Sequence, residues 1–193
     1  MNLQELQEIL EKNGVDLSLY GKGQAKSLDK LLHEINDPEE GVELCELQNT
    51  GEIEEYGARL LRRAKVFNIH VHYDNVESFL RLREALQIFN DGRFRARLER
   101  IAAISEKRHH GEGFLDGVLR SLSEELGLEN VSVSKIVRME GITSLNFSQS
   151  YPGILTEYKI YQAEYQMEDN FYKPEGYVEV QPDKKTYFVW EKV

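Results

Sequence analysis

Two adjacent carboxylates, Glu124 and Glu125, are the side chains in this sequence best placed for chemistry, because a helix delivers both to its C-terminal end. Leu115, Val118, Leu119, Leu122 and Leu126 recur at the i, i+3, i+4, i+7 spacing of one buried stripe, which predicts a helix over residues 114–126. At about 100° per residue, Glu124 lies opposite that stripe, with Ser121 and Glu125 on its flank. Gly127 is placed to end the helix as a left-handed cap. Carboxylates at a helix C-terminus oppose the macrodipole, so a cation beside them is stabilising. Hard divalent cations take oxygen ligands, and Mg²⁺ typically combines one or two carboxylates with substrate phosphates.

A second cluster is basic. Arg93, Arg95 and Arg97 alternate with Phe94, Ala96 and Leu98, so a strand there puts all three arginines on one face. Guanidinium groups grip phosphate oxygens bidentately, so a diphosphate or nucleotide fits between this face and metals on Glu124 and Glu125. A solvated sheet face whose arginines pair with surface carboxylates is the plainer explanation. His70 and His72 share a strand face, but no Cys or His partners stand at zinc-site spacing. His109 and His110 precede the helix in a loop. An aromatic between Tyr165 and Tyr172, in an expected loop, can stack on a base, and Glu168, Asp169 or Glu175 can supply a further carboxylate.

The elements that position these groups follow from periodicity. Residues 2–13 carry Leu3, Leu6, Ile9 and Leu10 as an amphipathic helix, and Ser27 caps a second. The 41–47 segment and the chain after Gly51 suggest a hairpin around Asn49-Thr-Gly. Phe67, Ile69 and Val71 alternate with polar residues as a half-buried strand. Residues 78–88 give another, and Asn90-Asp-Gly is a hairpin signal. Residues 131–139, 154–164 and 187–190 complete the set. The expected class is α+β: a mixed sheet sandwiched between helices, with a mainly helical extension over 1–55 and the principal domain over 56–193.

Glu112, Arg120, Leu122, Glu124, Glu125, Gly127 and Leu128 fall in register with the pattern G-x5-E-x7-R-E-U-x-E-E-x-G-U, U being a bulky aliphatic. The stretch resembles a Nudix box, with Glu106 where the first glycine belongs and Ser121 where the first Glu of R-E-U-x-E-E belongs. Lys65-Val-Phe-Asn-Ile-His-Val, Phe89-Asn-Asp-Gly-Arg, Ile104-Ser-Glu-Lys-Arg and Tyr151-Pro-Gly-Ile-Leu-Thr-Glu-Tyr extend the resemblance over roughly residues 60–193. It implies a Nudix-like fold and a Mg²⁺- or Mn²⁺-dependent hydrolase that cleaves the pyrophosphate bond of a nucleoside diphosphate linked to another moiety. Glu124 and Glu125 would be the metal ligands, Arg120 and Glu112 an ion pair tying loop to helix, and Arg93, Arg95 and Arg97 the substrate contacts. Ser121 supplies no carboxylate, so activity is expected to be weak or atypical, and Ser121→Glu should raise turnover. The alternative is a non-catalytic binding module of the same fold for a nucleotide or protein partner; metal dependence separates the two. A third reading is an interaction protein whose N-terminal helices dock a partner.

Composition narrows the partners. A net charge of −10 argues against a general nucleic-acid or membrane-surface binder. The single cysteine, Cys45, allows no internal disulfide and suits a reducing compartment. No apolar run approaches the roughly 18 residues that span a bilayer. A cytoplasmic protein is expected, with a small-molecule nucleotide or diphosphate as substrate; the Nudix resemblance leaves a homodimer open, though no feature of the sequence fixes an interface.

Overall fold

The computed structural model describes residues 1–47, 57, 59–75, 78–96 and 101–193. Its helices are α1 (Leu3–Lys12), α2 (Leu28–Asn36) and α3 (Phe114–Leu126). Its strands are β1 (Glu43–Glu46), β2 (Leu60–Asn75), β3 (Ser78–Phe89), β4 (Phe94–Ala96), β5 (Ile104–Lys107), β6 (Ile136–Arg138), β7 (Ile142–Phe147), β8 (Leu155–Gln166), β9 (Tyr177–Val180) and β10 (Lys184–Lys192). The class is α+β, as expected. Hydrogen-bonded neighbours run β6-β8-β2-β3-β10-β9, with β1 and β5 on β2, β4 on β3 and β7 on β8. No helix among the described residues is long and apolar enough to cross a membrane.

Contacts divide the chain into two units. The first contains residues 1–66, 107–111 and 142–160. Asn2 and Glu5 close a reciprocal capping box at the start of α1, and the Ser27 side chain accepts from Lys30 N at the start of α2. The two helices contribute Leu6, Leu10 and Leu31 to a core with Leu60, Tyr151 and Ile154. β1 pairs antiparallel with the start of β2, Glu43 opposite Arg63. The hairpin turn expected at Asn49-Thr-Gly and the boundary drawn near residue 55 both lie outside the described residues.

The second unit contains residues 67–106, 112–141 and 161–193 and carries the candidate site. Its core joins Phe67, Ile69 and Val71 of β2, Leu82 of β3 and Phe188 of β10 to Val118, Leu122 and Leu126 of α3. The helix occupies residues 114–126 as its spacing predicts, and Gly127 ends it at φ 67°, the left-handed region. Its buried stripe is rotated from the expected one: Leu115 is exposed, whereas Gly117 and Ser121 are buried. Small residues at these two positions let the helix approach β2 closely. A Cβ on Gly117 would stand 2.2 Å from Cε2 of Phe67.

β3 and β4 form the hairpin signalled by Asn90-Asp-Gly, with Ile88 opposite Phe94 and Gln87 opposite Arg95. β10 pairs antiparallel with both β3 and β9. The strand expected over 131–139 is reduced to Ile136–Arg138, preceded by a short 3-10 turn at Val133–Lys135. Tyr165 belongs to β8 and is fully buried, rather than lying in a loop.

Candidate functional site

The C-terminal half of α3 and the strands beside it organise the site. Arg120 is its hub. Its Nε donates to Glu112 Oε1 at 2.7 Å and its Nη2 to Glu112 Oε2 at 3.2 Å, a bidentate pair joining the loop before α3 to the helix. Nη1 donates to Glu124 Oε2 at 2.7 Å, one helical turn on. Glu124 is therefore an exposed carboxylate held in place by a cation.

Glu125 points elsewhere. It is half-buried and lies against Glu106 of β5 and Glu179 of β9. Burial first, then the like charges of Glu106 and Glu179 and a hydrogen bond with Glu106, push its carboxyl up to about 9, against a smaller opposing pull from Lys184. The structure thus brings Glu125 to two carboxylates from the sheet rather than into a pair with Glu124.

Ser121 is fully buried, and its hydroxyl donates to the Gly117 carbonyl at 2.8 Å. It lies within the packed stripe rather than on its flank with Glu125, because the helix is rotated to seat Gly117 and Ser121 against the core. The hydroxyl instead satisfies itself one turn back along its own helix.

Of the three arginines, Arg93 is exposed and its Nε donates to Asp91 Oδ2 at 2.7 Å, the surface pairing that a solvated face would give. Arg95 lies on β4 opposite Gln87. Gln87 is opposite Thr186 on β10, and Thr186 is opposite Glu179 on β9. These four residues form one cross-strand row on one side of the sheet. Arg95 stands three strand spacings, about 14 Å, from Glu179 along it. Arg97 lies outside the described residues.

Other expected contributors have local partners. Glu168 accepts from Ser132 N at 3.1 Å, tying two loops together. His72 stacks on Phe79 at 5.2 Å between ring centroids, and burial lowers the imidazole of His70 below its ordinary value. His109 and His110 belong to the first unit.

Glu106 and Glu179 were not singled out as site residues from sequence. Glu106 did leave a signal, a carboxylate where the box pattern has glycine. Glu179 left none, being one carboxylate in a short strand of alternating Val and polar residues.

The donor set suits a hard cation. Two carboxylates, Glu106 and Glu179, stand against Glu125, with Lys184 as an opposing cation; Glu179 Oε2 is buried without a hydrogen-bond partner, and so is the hydroxyl of Thr186, its buried cross-strand neighbour. As they stand, no three His, Cys, Asp or Glu side chains among the described residues are arranged to hold a metal ion.

No family model matches this chain, and no curated protein matches it. Among solved structures it is similar to a C. elegans Ap4A hydrolase in a binary complex, with 11% identity over 67% of this chain and 78% of that one, at a TM-score of 0.37. A second structure, of C. elegans Ap4A hydrolase, gives 13% identity over 64% and 79% at a TM-score of 0.33. At such identities and TM-scores, neither likeness bears on what this chain acts upon.

Proposed function

We propose that this chain is a Mg²⁺- or Mn²⁺-dependent hydrolase of a nucleoside diphosphate linked to another moiety, with a carboxylate relocated from the helix to the sheet. The observation that carries this reading is the position of Glu125 against Glu106 and Glu179, with buried oxygens left over on Glu179 and Thr186. Like charges brought together under burial are costly unless a proton or a cation neutralises them. Where the box lost a carboxylate at Ser121, β5 supplies one at Glu106.

A divalent ion held by these carboxylates would screen the phosphate charge and acidify bound water. The protein's own residues do the rest. Arg120 fixes Glu112 and Glu124, so the Glu124 carboxylate is available to orient water and accept its proton. Water adds to one phosphorus, the bridging P–O bond breaks, and the other phosphoryl group leaves with its substituent. Arg95, on the same side of the sheet as Glu179, is placed for an anionic part of the substrate.

A second reading, the non-catalytic binding module, is favoured by two contacts: Ser121 gives its hydroxyl to Gly117, and Arg120 neutralises Glu124. Hydrolysis assays on nucleoside diphosphate derivatives and nucleoside triphosphates, with Mg²⁺ or Mn²⁺ and beside Glu125→Gln, separate the two. The hydrolase reading expects metal-dependent turnover that the variant lacks. Folded wild-type protein that binds ligand but turns over no faster than Glu125→Gln would leave the module.

A further inference from the structure

The first unit buries more positive charge than its carboxylates offset. The side chains of Arg62 on β2 and Glu34 on α2 are each 4% exposed and meet at 2.7 Å. Lys26 and Lys107 also reach Glu34, at 2.7 and 2.9 Å, and Lys107 pairs with Glu40 as well. Among the described residues, three cations thus share two carboxylates in this cluster. Burial, with the charges of Lys107 and Arg62, holds the Lys26 ammonium below its ordinary value against the pull of Glu34.

Arg62 commits only Nη2 to Glu34. Its Nε and Nη1 are buried without a hydrogen-bond partner among the described residues, and so is the hydroxyl of Thr156 on β8. β2 and β8 lie side by side. They run in the same direction: Arg63 meets Glu157 at 3.4 Å, and further along both strands Met167 N donates to His72 O. Arg62 and Thr156 each stand one residue before the Arg63–Glu157 pair, so they are neighbours on the opposite face. The Arg62 guanidinium accordingly lies over the ring of Tyr158, two residues on from Thr156, at 6.0 Å, and over that of Tyr151 at 5.1 Å.

Buried donors are paired in nearly all native proteins, by water or an ion where protein groups do not reach. Water would fill a hydrogen bond here and leave the surplus charge as it was; an anion answers both. Guanidinium N–H groups only donate and a hydroxyl is able to, so the matching ligand is an acceptor. One surplus charge and a fully buried hydroxyl suit a small monovalent ion, whereas sulfate or phosphate brings excess charge and four oxygens to satisfy.

We propose that the first unit binds a monovalent anion of chloride size, held by a guanidinium N–H of Arg62 and the Thr156 hydroxyl. Lys26 and Lys107, both partly exposed, supply the positive field around it. The ion ties α2, β2 and β8 together, so chloride stabilises the folded chain by mass action.

Chlorine-35 NMR line broadening on the full chain, at ionic strength held constant with gluconate, tests this beside Thr156→Val and Lys107→Gln. The first variant keeps the shape of the side chain and removes the hydroxyl; the second removes the surplus charge at a partly exposed position. The wild type is expected to give saturable broadening that bromide displaces, and each folded variant to bind chloride at least about tenfold more weakly. Folded wild type with no saturable broadening overturns the proposal and leaves these donors to buried water. Broadening that either folded variant leaves unchanged overturns it as well.

Discussion

A serine hydroxyl buried in a helix has few partners within reach, and Ser121 takes the Gly117 carbonyl at 2.8 Å. Ser121→Glu would put a carboxylate at a fully buried position. It is therefore expected to lower stability by about 2–4 kcal/mol, read by urea titration, and not to raise turnover as the box spacing alone suggests. Gly117→Ala should also destabilise. Its Cβ would meet Cε2 and Cζ of Phe67 at 2.2 and 2.5 Å and Glu112 Oε2 at 2.9 Å, so overpacking of about 1–3 kcal/mol outweighs the gain in helix propensity. A Gly117→Ala variant as stable as wild type would contradict that packing. At this scale the box resemblance, rather than spacing, carried one contact: Glu112 and Arg120 meet as the ion pair it implies. The sequence was not legible where direction depends on helix rotation, because Leu115 and Ser121 compete for the buried side and the core residues that α3 packs against, Phe67 among them, are distant in sequence.

Among elements, α3 could be read to the residue from its apolar period and terminal glycine, whereas β9, four residues long and flanked by turns, carries too little pattern to announce itself. α2 shows a stabilising device that is invisible in sequence. Glu34 is buried, and Lys26 Nζ, Arg62 Nη2 and Lys107 Nζ reach it at 2.7, 2.7 and 2.9 Å. Burial alone would raise this carboxyl, but Lys26, Arg62 and Lys107 override it and hold Glu34 well below the usual carboxylate range. A carboxyl depressed in the folded state stabilises fully above its unfolded value of about 4.3, and that stabilisation is lost as pH falls toward the folded value. Glu34→Gln leaves the buried Arg62 guanidinium without its anion, while Lys26 is partly exposed and Lys107 keeps Glu40, and should cost about 3 kcal/mol at neutral pH. The gap from wild type should narrow as the solution is acidified below the carboxylate range. Thermal melts across pH read this directly, and a gap that widens on acidification would refute it.

For the molecule as a whole, the first unit draws its core from α1, α2, β2 and the loop before β8, so its N-terminal helices are structural and not merely an appended arm. Removing residues 1–36 would uncover Leu60, Tyr151 and Ile154. The truncated chain is expected to be poorly soluble or to melt well below wild type, and a truncated chain with unchanged stability would contradict this. The α+β class was readable from alternating helical and strand periods. The sheet order was not, because β5 and β1 both reach β2 from distant parts of the chain. The same long-range pairing brings Glu106 and Glu179 to Glu125, and the functional reading depends on that convergence. Its most direct test is Mn²⁺ titration with ADP present, followed by electron paramagnetic resonance, for wild type and Glu106→Gln. The relocated carboxylate predicts binding that needs the diphosphate and weakens about tenfold or more in the variant. Equal Mn²⁺ affinity in the two folded proteins would contradict it.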